Sequence, residues 1–272
     1  MAENSKIEWT MHTANLWHGC TKVHAGCDNC YAETQSKRWK RDIWGNDRPR
    51  LIIRSVWEQL QKFQAAAEQA GEMHRVFVGS MMDIFEKPMP LVDGKGNKIQ
   101  VTDTGFLRNL FFQQIDAGMY NNLMFLFLTK RPSNINKMIP EYWKYNPPKN
   151  VMFGTSPVDQ QTFDHLVPQL YQVNGKRFLS IEPQLGPIDI KKELPTGKGQ
   201  VAYGLLMDWI INGGESGSGR RPYNPDWGRQ LKADCYNFGI PFFYEADRQG
   251  NTGTGRFADQ EFLCGKLIKE TR

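Results

Sequence analysis

Short apolar segments rich in β-branched and aromatic residues recur six times, at residues 75–80, 123–129, 150–155, 177–181, 209–212 and 241–244. They alternate with segments of helical periodicity at 55–70, 104–120, 159–173 and 226–238. A strand with one wet face alternates polar and apolar side chains, so continuous apolar runs of this length read as strands buried on both faces. Buried strands separated by helices are parallel strands, because a parallel neighbour needs a crossover of a dozen residues or more. The expected fold class is α/β: a closed or partial (β/α) barrel, or an open doubly wound sheet. Helix 226–238 is the best marked, with Asn224 to cap it, Pro225 in its first turn, and Trp227, Leu231 and Cys235 along one face.

Two glycine-rich stretches, 93–98 and 195–204, read as surface excursions rather than linkers, so residues 1–272 are taken as one domain. With 40% hydrophobic and 23% charged residues the chain can build a substantial core, which excludes a disordered chain. The apolar run from Leu123 to Leu128 is far shorter than the about 20 residues that span a bilayer, so no membrane is expected. The first nine residues carry no apolar signal core, which places the expected protein in the cytoplasm. A net charge of +5 permits an anionic partner without demanding one.

Five cysteines are too few and too unevenly spaced for a disulfide framework. Cys20, Cys27 and Cys30 form a C-x6-C-x2-C cluster, whereas Cys235 and Cys264 stand apart in apolar surroundings and read as small core residues. Three thiolates on one loop can hold three corners of a cubane iron–sulfur cluster and leave the fourth iron open. They can equally hold a structural zinc ion if His18 or His24 completes a tetrahedron. The spacing leaves both readings open. His12 also lies near the cluster in sequence, while His74 and His165 show no partner there.

Each expected strand is followed at once by small or polar residues. These are Ser80 and Asp83, then Thr129-Lys130-Arg131, then Thr155-Ser156, then Glu182, then Gly213-Gly214-Glu215-Ser216, then Glu245. In β/α architectures ligands gather at the carboxyl ends of the strands, so these groups can share one mouth, which favours the barrel. Glycines between 213 and 219 let backbone amides approach an anionic or zwitterionic ligand, and Glu215 suits an ammonium or a ribose hydroxyl. The stretch has neither Walker nor Rossmann spacing. Its alternative is a plain connection that binds nothing. Lys130, Arg131, Arg220 and Arg221 suit a phosphate or carboxylate, or else a solvated surface. Lys37, Arg38, Lys40, Arg41, Arg48, Arg50 and Arg54 interleave with Trp39 and Trp44, a mixture suited to phosphate contact and base stacking, or to a basic helix over core tryptophans.

The ordered set Ile7-Glu8-Trp9-Thr10, Trp17-His18-Gly19-Cys20, Gly26-Cys27-Asp28-Asn29-Cys30-Tyr31-Ala32-Glu33, Leu128-Thr129-Lys130-Arg131-Pro132, Gly154-Thr155-Ser156, Ser180-Ile181-Glu182-Pro183 and Gly213-Gly214-Glu215-Ser216-Gly217 resembles the three-cysteine-motif family of phage and bacterial proteins. That family looks like a divergent branch of the radical S-adenosylmethionine enzymes, and the resemblance runs from about Lys6 to about Tyr244. It implies a partial (β/α) barrel of the radical S-adenosylmethionine type, with parallel strands and an N-terminal cysteine-bearing loop. Cys20, Cys27 and Cys30 would ligate a [4Fe-4S] cluster. Ser80, Asp83, Lys130, Thr155, Ser156, Glu182, Gly213, Gly214, Glu215 and Ser216 would hold S-adenosylmethionine at the mouth.

The resemblance further implies an external electron donor and an isomerase or transferase reaction. Its substrate would be a nucleobase, a nucleotide or DNA, with thymine hypermodification in phage DNA as one case. No catalytic residue is assigned. The gap between Cys20 and Cys27 is longer than in the wider superfamily, and the Gly-Gly-Glu stretch follows a late strand instead of the second. Ser80 and Asp83 occupy that earlier place, so two candidate sites exist for the methionine amine. The competing expectation is a non-catalytic, zinc-stabilised nucleic-acid-binding protein.

Overall fold

The computed structural model describes residues 7–196, 199–217 and 219–244. Its strands are β1 (His12–Ala14), β2 (Trp17–His18), β3 (Arg50–Ile52), β4 (His74–Val78), β5 (Pro90–Val92), β6 (Lys98–Asp103), β7 (Leu123–Thr129), β8 (Val151–Thr155), β9 (Lys176–Ile181), β10 (Glu193–Thr196), β11 (Gly199–Ala202), β12 (Trp209–Asn212) and β13 (Phe242–Tyr244). Its α-helices are α1 (Tyr31–Arg38), α2 (Val56–Ala70), α3 (Thr104–Asp116), α4 (Ile135–Met138), α5 (Gln160–Tyr171) and α6 (Pro225–Phe238).

Seven strands form one sheet in the order β1-β4-β7-β8-β9-β12-β13, every neighbouring pair parallel. The order follows the chain without reversal. A doubly wound sheet reverses at a switch point, so the open-sheet alternative is set aside in favour of a barrel-type winding. Among the described residues β1 pairs only with β4 and β13 only with β12, which makes this a curled, partial barrel.

The two faces of the sheet differ as the winding requires. Val76, Val78, Phe125, Phe127, Phe153 and Leu179 face one large core with Leu60 and Phe63 of α2, Phe111 of α3, Phe163 of α5 and Leu231 of α6. Period-2 alternation sends their neighbours to the other face, where Trp9, Phe77, Met124, Leu126, Met152, Phe178, Trp209 and Ile211 fill the concave side. Gly154 is needed there, because a Cβ would stand 2.4 Å from the Phe178 ring. The helices are fixed by local signals. Asp103 accepts from the Phe106 amide to cap α3, Asp159 and Thr162 form a capping box on α5, and Asn224 with Pro225 opens α6.

The sequence reading missed a second, four-stranded sheet, β2-β3-β5-β6, and the β10–β11 hairpin. The stretch 93–98 is the turn between β5 and β6, and 195–204 runs through the hairpin; both are too polar and glycine-rich to carry a strand pattern. β1 was missed because three residues cannot show a period. Helix α3 stops at Asp116 instead of 120, where Gly118 takes up a φ of +72°. His12 in β1 stacks on Phe63 at 4.0 Å, and its Nε2 lies 3.0 Å from His74 Nδ1, which gives His74 the partner its sequence hid. No helix among the described residues is long and apolar enough to cross a membrane.

Candidate functional site

The carboxyl ends of the central strands lie side by side: Thr129 is opposite Thr155, Thr155 opposite Leu179, and Ile181 opposite Asn212. Just beyond them opens a cavity of about 430 Å³, within the range that encloses a drug-sized ligand. Cys20, Cys27 and Cys30 all line it, and each is a free, half-buried thiol.

The cysteine loop is held from both ends. Gly19 sits at φ +112°, where any Cβ would meet Ile43 O at 2.3 Å, and its amide donates to Met81 O. The Cys20 carbonyl accepts from the Gly45 amide at 2.9 Å. Cys30 stands at the N-cap position of α1. Burial, then Asp83, pushes the Cys20 thiol up to about 12 against the opposing pull of Arg131. Burial also raises Cys30, partly offset by the Glu33 and Ala32 amides. Such thiols stay protonated until a metal displaces the proton.

Neither histidine proposed as a fourth ligand lines the cavity. His18 stacks on Trp39 at 5.9 Å, and His24 Nδ1 accepts from the Gly26 amide. Among the described residues no three thiol, imidazole or carboxylate groups are gathered tightly enough to hold a single metal ion.

Behind Cys20 lies a lattice of charges. Asp83 lines the cavity but is fully engaged: it accepts from Thr129 Oγ1 at 2.7 and 2.9 Å, from Arg131 Nη1 at 2.7 Å, and from the Phe85 and Lys130 amides. Arg131 Nη2 donates to Thr21 O at 2.6 Å and lies 3.7 Å from Glu86 Oε1. Glu86 is buried and takes two hydrogen bonds, at 2.9 and 2.8 Å, from the equally buried Arg50. Arg50 also donates to Thr21 Oγ1 and to the carbonyls of Ile43, Gly45 and Arg48. Arg50 therefore ties the cysteine loop to the fold and is not the phosphate contact its basic neighbourhood suggested. Asp83 positions the strand end and has no oxygen to spare for a ligand amine.

The other expected residues divide in the same way. Ser80, Lys130, Ser156, Glu182, Gly214, Glu215 and Ser216 line the cavity; Thr155 and Gly213 do not. Thr155 is buried and donates to Thr129 O, and Gly213 is latched between Ile181 O and the Gln184 amide. Ser80 Oγ accepts from Asn15 Nδ2. Glu182 Oε2 accepts from Trp9 Nε1 at 3.2 Å and Ser180 Oγ at 3.1 Å. Ser156 is fully buried, yet its Oγ has no hydrogen-bond partner among the described residues. Glu215 meets Arg221 at 2.5 Å and Asn29 Nδ2 at 3.0 Å, while Arg221 Nη2 donates to Ala25 O. Burial alone would raise the Glu215 carboxyl, but Arg221 and Asn29 hold it below its ordinary value. Its place is a latch between the glycine-rich loop and the cysteine loop. Glu245 lies outside the described residues, as does Cys264.

A family model described as "Protein of unknown function (DUF5131)" matches residues 4–261. This chain belongs to the DUF5131 family. No curated protein and no solved structure matches it.

In this DUF5131 member the basic tryptophan-rich stretch is less positive than its sequence suggests. Lys37 pairs with Glu33 and Arg48 with Asp42, while Trp44 lines the cavity and Trp39 is 46% exposed. Cys235 is fully buried on α6 in the main core, as expected of a small packing residue. The lattice of Arg50, Glu86, Asp83 and Arg131 escaped sequence reading because its partners are tens of positions apart. Arg131 and Asp83 showed only as strand-end residues and Arg50 only as one of a basic cluster.

Proposed function

We propose that this chain is a radical S-adenosylmethionine enzyme with a [4Fe-4S] cluster on Cys20, Cys27 and Cys30. The observation that supports this most is the donor set: three thiols of one loop line one ligand-sized cavity at the strand ends, and neither His18 nor His24 lines it with them. Three thiols on one loop suit a cluster whose fourth iron stays open to a ligand. When bound, such a cluster supplies one electron to the sulfonium of S-adenosylmethionine, whose cleavage gives a 5′-deoxyadenosyl radical.

The chain's own residues supply binding and seclusion. Lys130 brings a cation suited to the methionine carboxylate, and Ser156 brings a buried hydroxyl with no other partner. Glu182, fixed by Trp9 and Ser180, suits a ribose hydroxyl or an ammonium. Trp9, Phe77 and Leu128 form an apolar floor that keeps water from a reactive carbon radical. The latch of Asn29, Glu215 and Arg221 draws the cysteine and glycine-rich loops together over the mouth. For the substrate we propose a nucleobase or a nucleotide-linked group, with Trp44 at the cavity wall as a stacking surface.

Anaerobic protein reconstituted with iron and sulfide should release 5′-deoxyadenosine from S-adenosylmethionine under dithionite. Stoichiometric zinc in protein prepared without oxygen, with no iron taken up, overturns this reading in favour of a zinc-stabilised binding protein.

A further inference from the structure

Among the described residues Arg131 is the one charged side chain whose hydrogen bonds reach both the lattice and a cysteine sulfur. Its Nη1 donates to Asp83 Oδ2 at 2.7 Å and lies 3.8 Å from Cys20 Sγ, within hydrogen-bond reach of sulfur. Its Nη2 holds the Thr21 carbonyl, the next backbone group after Cys20. The guanidinium cannot swing away, since Asp83 is itself pinned by Thr129 and Glu86 by Arg50. Its side chain is only 14% exposed, so water screens its charge weakly. Among the hydrogen bonds of the described residues no cation is bonded to the sulfur of Cys27 or Cys30, where Lys22 and Lys130 act on Cys30 through space only.

We propose that Arg131 is a positioning residue that raises the reduction potential of the cluster, through an N–H···S bond to Cys20 and a fixed positive charge beside it. This rests on the function proposed above. The reduction takes up one electron from an external one-electron reductant and no proton, so the added negative charge stays on the cluster and its sulfurs. A nearby cation and a donor to sulfur favour that added charge, and a nearby carboxylate opposes it. Arg131 and Asp83, paired with each other, must therefore act on the potential with opposite signs.

The test is a potentiometric titration of reconstituted protein, followed by electron paramagnetic resonance, with iron content measured alongside. Arg131→Met should shift the potential to more negative values, Arg131→Lys should shift it less in the same direction, and Asp83→Asn should shift it to more positive values. If Arg131 serves only to hold the loop, loosening either partner exposes the cluster alike. Shifts of the same sign for Arg131→Met and Asp83→Asn, or no shift in the loaded fraction, would then overturn the proposal while leaving the cluster assignment intact. Should Arg131→Met retain no iron, Asp83→Asn decides alone, and a potential that fails to rise counts against the inference. If the unsubstituted protein takes up no iron, the function proposed above falls and this inference falls with it.

Discussion

The two ends of the cysteine loop are held in different ways. Cys20 is backed by Arg50, Glu86, Arg131 and Asp83, whose side chains are buried or nearly so and whose ion pairs run between distant segments. The Cys27–Cys30 end is held by Asn29, Arg221 and Glu215, where the Glu215 side chain is 5% exposed but Arg221 is 31% exposed and its contact to Asp28 is 3.5 Å. Buried pairs cannot be broken without leaving an uncompensated charge, whereas exposed ones exchange easily with water. Cys20 is thus placed by the fold itself. The other two thiols are placed by a latch one of whose members, Arg221, is partly exposed.

The largest expected effect follows from cutting the buried end. Arg50→Ala should lower stability by about 3–5 kcal/mol, because it strands Glu86 in the interior. Urea unfolding measures this, and a loss below about 1 kcal/mol would break the contrast between the two ends. Arg221→Ala should cost less, about 1–3 kcal/mol, since Arg221 is 31% exposed although Glu215 is only 5% exposed and keeps Asn29 as a donor. Amide exchange should nevertheless speed up across residues 25–29, and equal protection in the variant would show that no latch exists. Cys235→Ala, in the core far from either end, should cost about 1 kcal/mol and leave iron retention unchanged.

Acid sharpens the same contrast. Burial, then His74, lowers His12 from 6.5 to about 4, so the unfolded chain binds a proton that the folded chain refuses. The stability that neutral His12 brings is complete above pH 6.5 and is lost as pH falls toward 4. Glu215 has the same sign at lower pH: its contribution is present above its ordinary value near 4.5 and fades as pH falls through its lowered one. Urea midpoints should decline through the histidine range, and exchange at residues 25–29 should rise over the same range, because His24, also lowered by burial to about 4, loses the bond it accepts from the Gly26 amide when it is protonated. Exchange at residues 25–29 that stays unchanged until pH falls below 4 would contradict this.

Much of the barrel was legible because its strands are buried on both faces. The apolar runs at 123–129 and 209–212 coincide with β7 and β12, and Asn224 and Pro225 mark the start of α6. Strand ends followed by polar residues correctly pointed to one mouth, since Ser80, Lys130, Ser156, Glu182 and Glu215 share its lining. What the sequence hid was the division of labour among those groups. Asp83 and Thr155 look like ligand residues until their oxygens are seen bonded to Thr129 and Arg131. Arg50 looks like a phosphate contact until Glu86, 36 positions away, takes its charge. Pairings between distant segments leave no local period or motif to read.

The central claim concerns what the three thiols bind, and metal analysis of protein purified and reconstituted without oxygen tests it most directly. The account predicts about four irons and four sulfides per chain, a cluster signal on reduction with dithionite, and loss of that signal in Cys20→Ala, Cys27→Ala and Cys30→Ala alike. One zinc per chain, with no iron taken up and no dependence of colour on these cysteines, would contradict it.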